Sequence, residues 1–157
     1  MKILILIAPI LCFLPLFAEP PNIDFNDPKV QNAILKDASE NLQTRIKADG
    51  TKISYFPFDQ VPFSGWRKSF HPNGQVKSLH QYERGIVDGY AMEWYQTGQM
   101  KWKIRMNQGK IVSAESWKPD STPCPRTKVA KGNGIGIIYG EDGSVASELK
   151  WKDGLPN

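Results

Sequence analysis

The chain reads as a mainly β protein, an elongated antiparallel meander of repeated β-hairpins behind one N-terminal α-helix. Three observations point there. From Met100 to Met106, apolar residues (Met100, Trp102, Ile104, Met106) alternate strictly with Gln99, Lys101, Lys103 and Arg105, a period of two that sends each class to its own face of a pleated strand. Turn dipeptides recur at Asn73-Gly74, Thr97-Gly98, Asp120-Ser121 and Asp142-Gly143, with second positions 24, 23 and 22 residues apart. Matching columns flank each turn: an aromatic four residues before (Phe70, Trp94, Trp117, Tyr139), an apolar residue eight after (Tyr82, Met106, Val129, Trp151) and a glycine eleven after (Gly85, Gly109, Gly132, Gly154). Columns that agree over successive units mark a true internal repeat, in which each unit buries its apolar surface against its neighbours.

With 157 residues, 40% hydrophobic and 23% charged, the composition suits one globular domain. The start differs from the rest. Met1-Lys2 precedes ILILIAPILCFLPLFA, sixteen residues broken by Pro9 and Pro15, shorter than the roughly 20 apolar residues that span a bilayer. It reads as a secretory signal peptide over residues 1–18, cleaved after Ala18, which implies an exported protein, periplasmic or extracellular. Leu11 before Cys12 is not the small residue that lipid attachment requires. Removing the leader leaves 19 basic and 16 acidic residues, a balance too mild to argue for nucleic acid. Only Cys124 remains, so no internal disulfide forms and packing must hold the fold.

Residues 19–62 are read as an N-terminal helix and an opening hairpin. Asp27-Pro28 is a helix start, because Asp caps free amides and Pro fits the first turn. Val30, Ile34, Leu35, Ala38 and Leu42 follow at helical spacing, which predicts an amphipathic helix over about 28–41. Its polar face mixes both signs, so it suits covering a sheet better than lying on a membrane. Residues 42–47 and 52–58 then flank Ala48-Asp49-Gly50, where Asp-Gly supplies a tight turn. Pro57 and Pro62 limit pairing beyond it.

Residues 63–157 hold the four units. The third is the irregular one: Ser121 stands where the others carry glycine, and Pro119, Pro123 and Pro125 interrupt strand hydrogen bonding. The segments FSGWRKSFHPNGQVKSLHQYERG, GYAMEWYQTGQMKWKIRMNQG and GIGIIYGEDGSVASELKWKDG resemble the MORN variant repeat, which runs Gly, aromatic, Asn-Gly-Gln, Lys, aromatic, Gly. The resemblance covers residues 63–154 and implies successive antiparallel hairpins. Within that set the chain is similar to the YwqK-like antitoxin family, which implies a toxin-binding role.

Eight strands at about 4.8 Å each would make a sheet roughly 38 Å wide, while a 14-residue helix reaches only about 21 Å. The helix cannot cover one whole face. Trp94, Trp102, Trp117, Tyr139 and Trp151 are therefore expected to be exposed, closed off by sheet curvature, or buried on a partner, and count as candidates for protein recognition. Lys101, Lys103 and Arg105, with Lys77 and Lys150, are candidates for a basic face against lipid head groups or cell-wall polymer; a solvated strand face gives the same pattern.

No catalytic constellation is legible. Gly132-Asn133-Gly134-Ile135-Gly136 leads into a strand, not the helix a phosphate loop needs. His71 and His80 lack spaced partners for a metal. Cys124 lies between two prolines with no assignable base, and Asp59, Glu83, Glu93 and Glu115 form no recognisable acid pair. The expectation is a binding protein, not an enzyme, with no cofactor, no metal and no small-molecule substrate.

Overall fold

The computed structural model describes Phe25 and residues 27–157; the expected signal peptide lies outside the described residues. Helix α1 spans Pro28–Asp37, capped by Asp27, whose carboxylate accepts the Lys29 amide at 2.8 Å. It is shorter than the apolar spacing predicts. At Ala38 the backbone turns extended, and Ser39 lies beside β3 (Gly65–Phe70), donating to Trp66 O and accepting from Lys68 N, both at 2.7 Å. These bonds satisfy backbone groups that another helical turn would have used, and they cover the edge of β3.

Strands β1 (Gln43–Ile46) and β2 (Lys52–Tyr55) form a separate two-stranded sheet, the expected opening hairpin. β2 stops before Phe56, short of the expected end at Phe58, because Pro57 has no N–H for a ladder. The chain loops instead through Phe58, which sits at φ 70°.

The remaining strands form one nine-stranded antiparallel sheet in plain chain order. They are β3, then β4 (Val76–Glu83), β5 (Ile86–Trp94), β6 (Met100–Asn107), β7 (Lys110–Ser116), β8 (Lys128–Ala130), β9 (Asn133–Tyr139), β10 (Val145–Lys152) and β11 (Leu155–Pro156). Two turn types alternate along it. The dipeptide turns are three-residue loops closed by a pair of hydrogen bonds, as in His71 N to Gln75 O (2.8 Å) and Gly74 N to His71 O (2.9 Å). Their last residue is left-handed in every unit: Gly74, Gly98, Ser121 and Gly143, at φ 84°, 90°, 67° and 78°. The glycine column lies at the opposite strand ends, in Arg84-Gly85, Gln108-Gly109, Lys131-Gly132 and Asp153-Gly154. Both members of each pair have positive φ, the two-residue turn whose twist matches the strands it joins.

Three residues past each dipeptide glycine the ladder slips by one, leaving Lys77, Lys101 and Ala146 unpaired in β-bulges. This slip corrects the simple alternation. Trp102 and Ile104 stand opposite Glu93 and Ala91, whereas Met100, across the bulge, stands opposite Trp94. Met100 therefore joins the helix-side core, while Trp102 and Met106 pack with Ile104 on the other face.

Apolar side chains consequently fill both faces. On the helix side Phe25, Ala38, Leu79, Met92 and Trp94 are buried together under Ile34 and Leu35. On the other side Ala91, Ile104, Ile111 and Val129 are buried with Trp102, Met106 and Trp151 around them. A third cluster, Tyr95, Cys124, Ile137 and Tyr139, gathers where the dipeptide turns converge. There the Tyr95 hydroxyl donates to Trp117 O at 2.7 Å, and the Gln96 amide meets the Glu141 carboxylate at 3.3 Å. Contacts from the second unit to the fourth require the sheet to curl. The third unit keeps its turn but, with its prolines, yields only a three-residue β8, joined to β7 at Ala114 and Val129.

Candidate functional site

The sequence-selected aromatics divide on burial. Trp94 and Tyr139 are 4% and 5% exposed; they are core residues, not contact surface. Trp102, Trp117 and Trp151 are half-buried. The Trp151 ring fills the space over Gly136, where a Cβ would lie 2.8 Å from it. Sheet curvature and two-faced packing thus absorb most of the aromatic surface that the helix leaves uncovered.

The basic residues are engaged within the fold. Lys101 lies 5.5 Å over the Tyr95 ring, Lys103 is 3.5 Å from Glu115, and Arg105 lies 4.9 Å over the Tyr90 ring. Because Lys103 and Arg105 pair with Met92 and Tyr90, they share the helix-side face. They lie on the face away from Trp102, Ile104 and Met106, as the alternation predicts, but share it with Met92, Trp94 and Tyr90, so that face is not a purely basic surface.

Of all these residues, Arg105 lines a cleft of about 600 Å³ between α1 and the sheet. Val30, Ala33 and Ile34 give it a helical wall, and Trp66 and Tyr90 give it an aromatic one. Phe25 braces both rings edge-on, with centroids 4.8 Å from Tyr90 and 6.1 Å from Trp66. Gln81, Glu83 and Asp88 supply the polar rim. Gln81 is the residue left over where β4 slips against β5, and its side-chain oxygen accepts the Tyr90 amide at 3.3 Å. A Cβ at Gly89 would collide with that oxygen. Gly89, mid-strand and outside every turn column, was the sequence signal for this close approach.

A second feature lies on the opening hairpin. Phe58 is 91% exposed, Val61 74% and Ile46 68%, with Phe56 beside them at the surface. Arg45 ties the loop down, donating to Asp59 O at 3.0 Å while its guanidinium lies 4.3 Å over Tyr55. Phe56 and Phe58 fell within the strand expected over 52–58 and Val61 beyond it, so the sequence reading did not single out this patch.

The Cys124 thiol lies 3.1 Å from the Tyr139 hydroxyl. Burial pushes its pKa up, but hydrogen bonds from Tyr139, Thr127 and nearby amides outweigh that and bring it down to about 7. Set against known proteins, the chain matches no family model, no curated protein and no solved structure.

Proposed function

We propose that this chain is an exported, non-enzymatic module of MORN-type repeats that recognises another protein, in the manner implied by its resemblance to the YwqK-like antitoxins. The observation that carries the reading is Phe58. A bulky residue at positive φ costs on the order of 1–2 kcal/mol, and an exposed ring recovers none of it in the free protein. A partner that buries Phe58 with Val61 and Phe56 recovers it. An aromatic anchor in a small apolar patch with a charged residue beside it, here Arg45, has the composition of an interface hot spot.

The test is a benzophenone side chain placed at position 58, photo-crosslinked in cells and compared with the same group at exposed Lys152. A specific protein joined only at position 58, and lost on Val61→Ser, supports the reading. If no protein is joined at position 58, and the unmodified chain instead binds anionic vesicles or cell-wall polymer and is released by salt, a basic-face scaffold replaces this reading.

A further inference from the structure

We infer that the cleft between α1 and the sheet binds a small zwitterion with an apolar body, an aromatic amino acid or a short peptide containing one. The argument begins with charge. Arg105 and Asp88 both line the cleft, yet among the described residues neither has an ion-pair partner within 4.0 Å, in each other or elsewhere. Both are half-buried, so each gives up hydration without a counter-charge. A ligand carrying a carboxylate and an ammonium offers each the partner it lacks.

The neighbouring groups fit the same ligand. Arg105 lies over Tyr90, an arrangement that leaves guanidinium N–H groups free to take a carboxylate in a forked pair. Gln81 uses its oxygen on the Tyr90 amide, so its NH₂ is left to donate. Trp66 and the apolar side of α1 form the wall for the ligand's body, and about 600 Å³ is within the range of small-molecule sites. A neutral sugar leaves both charges without partners. A simple anion pairs with Arg105 but leaves Asp88 without a partner.

The cleft shares no residue with the Phe56–Val61 loop, so this inference stands or falls separately from the recognition reading. The test is an NMR titration of the full, ¹⁵N-labelled chain with L-phenylalanine, and with N-acetyl-L-phenylalanine and L-phenylalaninamide, which each lack one charge. Saturable shifts are expected at Gln81, Gly89, Tyr90 and the Trp66 indole, with each blocked compound binding at least about tenfold more weakly. Arg105→Gln should lose the preference for the acid over the amide, and Asp88→Asn the preference for the free amine, while resonances away from the cleft stay in place. No saturation below about 10 mM, an affinity weaker than any built site of this size should show, overturns the inference. So does equal binding of the blocked compounds, or a preference for N-acetylglucosamine.

Discussion

At the scale of single residues, the glycines separate two costs that are usually confounded. Gly74 and Gly132 have nearly the same φ, 84° and 77°, but a Cβ at Gly74 meets nothing within 4 Å, whereas at Gly132 it lies 2.7 Å from Gly154 N. The Gly132 amide donates to Val112 O, and its carbonyl accepts from Gly154 N at 2.9 Å, so the surrounding backbone cannot easily move away. Gly74→Ala should cost about 1 kcal/mol, the left-handed penalty alone. Gly132→Ala should cost at least about 3 kcal/mol, because clash and lost stacking of the turns add to it. Urea midpoints of the two variants measure the difference.

His80 makes a second residue-scale case. Burial, and then the Arg67 guanidinium opposite it in the ladder, bring its pKa from 6.5 down to about 4. The folded state therefore holds the ring neutral while the unfolded chain takes up a proton anywhere between those values. Its contribution to stability is present above pH 6.5, falls as the pH drops through the window, and is gone below 4. The loss is of order 3 kcal/mol in all. Urea unfolding should show stability declining between pH 6.5 and 5, above the main carboxylate range, and His80→Leu should flatten that decline.

At the scale of elements, Ser121 shows how a turn can outlast its glycine. It adopts φ 67°, with its amide donating to Lys118 O at 2.9 Å, and the Asp120 carboxylate accepts the Thr122 amide at 2.9 Å. Asp49, Asn73 and Asp142 accept from the residue two positions on in the same way, so the turn rests on the acceptor as well as on the last residue. Ser121→Gly should raise stability by about 0.5–1 kcal/mol, read as a higher melting temperature.

Turns were legible in the sequence because each depends on four or five neighbouring residues. The bulges were not, since a slip at Lys101 is settled by hydrogen bonds to another strand, and that slip decides which face Met100 joins. Helix α1 was legible at its start, where Asp27 and Pro28 act locally. Its end was not, because Ser39 is claimed by β3. The candidate site followed the same division: Arg105 was picked out within its strand, but Gly89 and the Phe56–Val61 run were not, and the meeting of α1, Trp66, Asp88 and Arg105 depends on tertiary packing.

At the scale of the whole molecule, the aromatic excess is spent largely on closing a curled sheet with apolar residues on both faces. What remains exposed is concentrated on the opening hairpin. Phe58→Gly should therefore raise the stability of the free chain by about 1 kcal/mol, by relieving the positive φ, while abolishing partner capture. A variant more stable and less able to bind is a combination that a purely structural role for Phe58 does not produce.

The short β8 has a consequence for how this sheet comes apart. Between the second and fourth units, backbone continuity rests on the Ala114–Val129 ladder position, the Cys124–Ser116 bond and the Gly132 and Gly154 turn bonds, with the Tyr95 and Ile104–Val129 clusters packed across it. The β4–β6 ladders on one side and the β9–β10 ladder on the other are each several pairs long. Two well-knit stretches joined by a thin one should open in steps rather than all at once. Amide hydrogen exchange should resolve the molecule into two protection groups divided at residues 117–128, with the chain after Lys128 exchanging first.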